Sequence, residues 1–362
     1  MLEYGAKKEV GIIMLKEIKD KNLEWALKHV PNVTSPSDIL GADQDGNVND
    51  GSPWFYIMPR IGGHLLSNDP EKVLSKRSIN FRSKYIHKII IGASSLFLNG
   101  KKLTIIKKAP LPEGRPIIFV PNHGFVEDAI SSAVVAEKPA YFLFGSLPQF
   151  FNTLNGFGVY MKGCLLINRK SAQSRKSSID KVVKALELGT NVIFYPEGVF
   201  NKTPNQILLP FWPGIFEAAK KSNAYIVPIV HLNVGKQIYS KRLDAIDISQ
   251  YEDSDRQEFL DTLRDKMGTE IYEMMQKYST TTRSELLGNH STMHEVCEDI
   301  VKKQVETAGK YYDPEIETAS DYRPSNYREV WKDIANASVN ASNVKEVNYA
   351  KKYVKEDYQR RF

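Results

Sequence analysis

Between residues 100 and 235, short and almost wholly apolar runs alternate with amphipathic stretches. Ile117–Val120, Tyr141–Phe144, Cys164–Ile167, Val192–Tyr195 and Tyr225–His231 lack the polar alternation of a half-solvated strand, so they read as strands buried on both faces. Lys102–Lys107 is a weaker candidate strand, and Pro110–Pro116 a loop. Helices are expected over Asp128–Ala136 and Gly214–Ser222. A third is expected where Ile179, Val182, Val183 and Leu186 fall at i, i+3, i+4 and i+7, with Gly189 placed to end it. The stretch after Phe144, rich in aromatic residues and glycine through Gly156 and Gly158, reads as a loop. Alternation of this kind predicts an α/β fold, a largely parallel sheet covered by helices on both faces.

The two ends of the chain follow other patterns. Residues 7–30 carry Val10, Ile13, Met14 and Ile18 at helical spacing, 31–70 look irregular, and 71–98 contain helix ending near Asn99-Gly100. After Asn233 the strand signal stops. Phe259, Leu263, Met267 and Ile271 then recur every fourth residue, behind Ser254 and Gln257 spaced as a capping box. From Thr280 onward the chain is polar and tyrosine-rich. Three segments are therefore expected: an N-terminal helical and irregular segment (1–100), an α/β core (101–245) and a helical C-terminal extension (246–362).

Composition narrows the function classes. Of 362 residues, 42% are hydrophobic, 25% charged and 10% aromatic, as in a globular protein. The net charge of +6 is spread along the chain, so nothing predicts a nucleic-acid partner. Lys72, Lys76, Arg77, Arg82, Lys84 and Lys88 do cluster ahead of apolar Ile89–Leu98, an arrangement that suits an anionic membrane surface. The alternative is a solvated helix face followed by a core helix. No run approaches the roughly 18 apolar residues of a membrane span. Two cysteines, Cys164 and Cys297, without a secretory leader predict a reducing compartment. The expectation is a cytoplasmic protein, peripheral at the membrane. No metal site is expected: Asp43–Asn47 reads as a polar turn rather than a calcium loop, and His290 with His294 as solvated histidines rather than zinc ligands.

Candidate chemistry gathers where Ile117–Val120 ends, in Pro121-Asn122-His123-Gly124-Phe125-Val126-Glu127-Asp128. A histidine at a strand end can act as a general base, and an aspartate in the following first helical turn can set its tautomer. A structural hydrogen bond at a helix start is the other reading of the same pair. Three further stretches lie at later strands: Gly163-Cys164-Leu165-Leu166-Ile167-Asn168-Arg169, Phe194-Tyr195-Pro196-Glu197-Gly198 and Ile226-Val227-Pro228-Ile229-Val230. In this order the four stretches resemble the blocks of the glycerolipid acyltransferases, the lysophosphatidic acid and glycerol-3-phosphate acyltransferase family. The resemblance runs from Leu103 to Asn233.

The resemblance implies acyl transfer from acyl-CoA or an acyl carrier protein, as co-substrate and without a cofactor, to a hydroxyl of a lipid acceptor. His123 would be the base and Asp128 its partner. Arg169, Glu197, Gly198, Gly163, Asn168 and Lys202 would serve the substrates, with oxyanion donors on the backbone near the helix start after His123 or near Gly163. Two departures stand out. The family's Asp before the block-two arginine is Asn168. Its Thr-Arg-Ser after Glu-Gly is Val199-Phe200-Asn201, which removes a cation expected near an acceptor phosphate and leaves Lys202 two positions away. A specialised, non-glycerophosphate acceptor, or a lipid- or acyl-carrier-binding module without turnover, are the alternative expectations.

Overall fold

The apolar runs form the centre of a mixed sheet in a computed structural model that describes residues 2–43, 45–201, 207–279, 281–292, 295–296, 298–300, 302–303, 311 and 318–319. The strands are β1 (Lys102–Lys108), β2 (Ile117–Pro121), β3 (Ala140–Phe144), β4 (Cys164–Leu166), β5 (Asn191–Ile193), β6 (Phe200–Asn201), β7 (Tyr225–Val234), β8 (Gln237–Arg242), β9 (Ile246–Asp247) and β10 (Thr318–Ala319). The main sheet runs β1-β8-β7-β2-β5-β3-β4, with β9 antiparallel on β7; β6 and β10 pair separately. From β4 through β3, β5 and β2 to β7 every pairing is parallel. The C-terminal ends of these five strands therefore lie along one edge of the sheet, where open α/β sheets put their ligand sites.

Both faces are covered. Side chains alternate across a strand, so Ile118, Val120, Val192, Phe194, Ile226 and Val230 share one apolar cluster with Val182, Leu186, Ile215, Phe216, Phe259 and Leu263 of helices Ala172–Glu187, Gly214–Ser222 and Arg256–Tyr278. Ile117, Phe119, Ile193, Val227 and Ile229 face the other way, onto Ala133, Val135 and Ala136 of helix Asp128–Ala136. Phe259, Leu263, Met267 and Ile271 are all buried, as their fourfold repeat requires. That helix starts at Arg256, and Ser254 with Gln257 do not cap it. Instead Glu252 donates its N–H to Asp255 at 2.8 Å, while Gln257 bonds Asp261 one turn on.

Three stretches depart from expectation. Phe144 to Cys164 is not a loop but two helices, Leu147–Asn152 and Leu154–Lys162. Gly156 is there for space: a Cβ on it would sit 2.1 Å from the Phe150 carbonyl oxygen. β8 is a strand past Asn233, where none was expected. It buries Ile238, Ser240 and Arg242 alternately, and the Arg242 guanidinium bonds the carbonyls of Ala109 (2.9 Å) and Val135 (2.8 Å) and the Glu137 carboxylate (2.8 Å). Polar residues satisfied in this way mask the strand pattern. Residues 31–70 hold short helical turns, Pro36–Leu40, Pro53–Tyr56, Met58–Gly62 and Gly63–Leu66, that bury Ile39, Phe55, Met58 and Leu66.

Chain contacts divide the protein into 1–320 and 321–362, the latter outside the described residues. The basic-then-apolar segment is Lys76–Phe81, a π-helical turn over Arg82–Ile86, His87–Gly92 and a 3-10 turn at Ser94–Phe97. Ile79 and Leu98 enter the core, whereas Phe81, Tyr85, Ile89, Leu96 and Phe97 are exposed, so this is not a core helix. Among the described residues no helix is long and apolar enough to cross a membrane.

Candidate active site

β2 delivers His123 to the sheet edge, and the turn into helix Asp128–Ala136 folds back on it. His123 Nδ1 lies 2.8 Å from Asp128 Oδ2. An ionised carboxylate can only accept, so Nδ1 carries the proton and Nε2 presents a lone pair. Asp128 is 1% exposed, and the same Oδ2 accepts the N–H groups of Gly124 (3.0 Å) and Phe125 (3.4 Å). The His123 side chain is 14% exposed, and no hydrogen bond among the described residues occupies Nε2.

β5, hydrogen-bonded beside β2, supplies the second wall. Glu197 follows it and is 2% exposed; Oε1 accepts the His123 N–H and Oε2 the Leu209 N–H, each at 2.8 Å. Burial pushes its carboxyl up to about 8. Glu197 is thus turned inward, holding the backbone of His123. Gly198 takes φ +73°, and a Cβ there would meet the Trp212 indole at 3.0 Å, so the turn needs glycine. Three residues on, Asn201 donates its N–H to the His123 carbonyl at 2.7 Å. The loop lays Phe200 on the imidazole, ring centroids 3.9 Å apart and planes 27° apart; Tyr195 lies 4.2 Å away at 32°.

Behind this pair is a buried polar chain. The Asn122 side chain clasps the backbone of His231 on β7 twice, accepting its N–H at 2.7 Å and donating to its carbonyl at 3.1 Å. The His231 ring meets Ser132 Oγ at 2.9 Å through Nε2 and Ser240 Oγ at 2.7 Å through Nδ1, and the Tyr195 hydroxyl donates to Ser132 at 3.3 Å. Burial pulls His231 down to about 4, opposed by Asp128, so it is neutral at pH 7 and serves as both donor and acceptor. Tyr195 is held well above the usual phenol value by burial and by Asp128.

The remaining expected residues divide. Arg169 follows β4 on the same edge, and its side chain crosses Gly145 at the end of β3: a Cβ on Gly145 would lie 2.3 Å from Arg169 Nε. Asn168 is buried and spent on structure, donating to the Asn32 carbonyl at 2.8 Å and accepting the Lys170 N–H at 2.9 Å. Gly163 precedes β4, at the opposite edge from His123, and its N–H already bonds the carbonyls of Val159 and Tyr160. Its φ of +103° and a virtual Cβ 2.5 Å from the Tyr141 ring make it a packing glycine. It cannot supply the expected oxyanion donor. The N–H groups of Gly124 and Phe125 are likewise committed, to Asp128.

Lys202, His294 and Cys297 lie outside the described residues. His290 bonds Asp299 at 3.0 Å. Asp43 accepts from Asp45 and Asn47 as a polar turn, and no cluster of metal-ligating side chains occurs among the described residues. No role was expected for Tyr195, Phe200 or His231, although Tyr195 stands within the third stretch, Phe200 within its departure from the family pattern and His231 at the end of an expected strand.

Comparisons with known proteins point to the same family for the central part of the chain. Residues 102–232 match the family model described as Acyltransferase. A 1-acyl-sn-glycerol-3-phosphate acyltransferase of Chlamydomonas reinhardtii is 29% identical over 135 residues, covering 37% of this chain and 40% of that protein. One of Salmonella typhimurium is 25% identical over 165 residues, 42% of this chain and 66% of its own. The match thus spans well under half of the algal relative and about two thirds of the bacterial one. The crystal structure of the 1-acyl-sn-glycerophosphate acyltransferase PlsC of Thermotoga maritima aligns at TM-score 0.44 with 15% identity, over 63% of this chain and 95% of that one. Across residues 102–232, therefore, this chain is similar to the acyltransferase family, and its named relatives are 1-acyl-sn-glycerol-3-phosphate acyltransferases.

Proposed function

We propose that this chain is an O-acyltransferase that moves a fatty acyl group from an acyl-CoA or acyl-carrier-protein thioester to a hydroxyl of a glycerolipid acceptor of the lysophosphatidate kind. The observation that carries the reading is the His123 Nδ1–Asp128 contact of 2.8 Å at a strand end, with Nε2 left to take a proton. Nε2 removes the acceptor's hydroxyl proton as its oxygen attacks the thioester carbon. The carbonyl electron pair moves to oxygen and then returns to expel the thiolate, which takes the proton back from His123. A thioester is reactive enough to need no enzyme nucleophile. A base of this kind contributes ~10²–10⁴ in rate, and Asp128 stabilises the imidazolium that forms.

Arg169 suits the acceptor's phosphate. Its guanidinium lies over the end of β3, two strands from β2 across β5. At about 4.8 Å per strand that is roughly 10 Å, the reach of a hydroxyl and a phosphate on neighbouring glycerol carbons with a hydrogen bond at each end. A guanidinium can hold phosphate oxygens in bidentate fashion. The exposed Phe81, Tyr85, Ile89, Leu96 and Phe97 beside Lys84 and Lys88 support peripheral docking on an anionic bilayer. A second reading, the same chemistry on an acceptor without a phosphate, is favoured by Phe200 standing where the resembled family has arginine.

The test is mass spectrometry of products from the purified protein, given acyl-CoA or acyl-carrier thioesters with lysophosphatidate, glycerol-3-phosphate or a lipid extract, beside His123→Ala. Acylated lysophosphatidate that disappears with the variant is the expected result. Another acylated lipid in its place points to the second reading. A variant as active as wild type overturns both.

A further inference from the structure

The imidazole of His123 lies between two aromatic rings. The Phe200 and Tyr195 centroids are 3.9 and 4.2 Å from the imidazole centroid, and the ring planes lie within 27° and 32° of its own. Two rings so close and so nearly parallel to a third cannot share one of its faces, so Phe200 covers one face and Tyr195 the other. One nitrogen edge is taken by Asp128, which leaves the Nε2 edge for substrate. The backbone bond from Asn201 N–H to the His123 carbonyl holds the Phe200 strand against the base independently of the ring itself. On the far side, the Tyr195 hydroxyl is tied to Ser132.

The face of an aromatic ring is negative and attracts a cation, most strongly where water is excluded. In the ground state His123 is a neutral base, so the rings do little beyond fixing its plane. As the acceptor's proton arrives at Nε2 the imidazole becomes a cation with a π-face on each side. We propose that Phe200 and Tyr195 form an aromatic clamp that stabilises the imidazolium of His123 in the transition state, with Phe200 as a positioning residue. This rests on the acyl-transfer reading above.

A fluorinated series at position 200 tests it: phenylalanine, 4-fluoro-, 3,5-difluoro- and pentafluorophenylalanine, with Phe200→Leu as the ring-free control. Fluorination drains the negative face while keeping shape and burial. The groups facing His123 stay in place throughout: Asp128 at Nδ1, the Tyr195 phenol on the opposite face and the Glu197 carboxyl on its backbone N–H. We expect kcat to fall stepwise with fluorination, by about 2- to 30-fold across the series, with KM unchanged. The His123 ring signals in NMR should titrate at progressively lower pH in the same order. Flat kcat and an unmoved NMR titration would overturn the clamp and leave acyl transfer standing. A moving titration without any His123-dependent turnover would keep the clamp as a property of the ring stack and sink the acyl-transfer reading instead.

Discussion

Glu197→Gln separates the two things that Glu197 does. The carboxyl is buried and accepts one backbone N–H on each oxygen, from His123 and from Leu209, both at 2.8 Å. The amide keeps one acceptor and turns its NH2 toward the other N–H, so one backbone N–H loses its partner and the buried NH2 has none. At about 1–3 kcal/mol for each of these two unsatisfied groups the variant should lose roughly 2–6 kcal/mol, a large part of a typical stability of about 5–15 kcal/mol. The pH dependence has a definite sign. The folded group sits at about 8, above its ordinary 4.5. The native state therefore holds a proton that the unfolded state has lost, and this contribution is complete below pH 4.5 and fades as pH rises to 8. Its slope reaches about 1.4 kcal/mol per pH unit. Glu197→Gln cannot titrate, so its deficit against wild type should be largest near pH 4.5 and shrink toward pH 8. Urea unfolding at pH 5, 6.5 and 8, with m-values checked for constancy, measures this directly. A deficit at pH 5 below about 0.5 kcal/mol, the usual size of an inconsequential substitution, or one that does not change with pH, would refute the argument. Turnover should also fall, because the His123 backbone loses an anchor.

Two further outcomes are expected. His231 is depressed to about 4 from 6.5, so its contribution is present above pH 6.5 and lost as pH falls to 4; His231→Gln should flatten wild type's loss of stability across that window, as followed by thermal unfolding between pH 4 and 7, and a variant curve parallel to wild type would count against a buried neutral histidine. Ile89→Glu and Leu96→Glu should weaken flotation with vesicles containing phosphatidylglycerol while leaving unfolding temperatures unchanged, and equal flotation with purely zwitterionic vesicles would remove the basic residues from the account.

The strands and helices of the core were legible because their signals are local. A wholly apolar run has no solvated face whatever lies beside it, and a fourfold repeat such as Phe259 to Ile271 puts its residues on one face by helix geometry alone. His123 and Asp128 were legible for the same reason: five residues apart across a strand-to-helix turn, they can meet without help from the rest of the chain. What is composed across the sheet was not legible. Gly156 looked like a loop residue because the demand on it comes from the Phe150 carbonyl in the preceding helix. β8 was hidden because Arg242 can be buried only once Ala109, Val135 and Glu137 have arrived to bond it. Tyr195, Phe200 and Glu197 reach His123 only because β5 pairs with β2, and His231 reaches Asn122 only because β7 pairs on the other side. Strand order depends on how the helices pack over both faces, and no short window of residues encodes it. Sequence alone was enough to set a histidine and an aspartate together at the end of a buried strand. Which rings flank that imidazole, and which buried carboxyl anchors its backbone, depends on contacts that exist only after distant strands have paired.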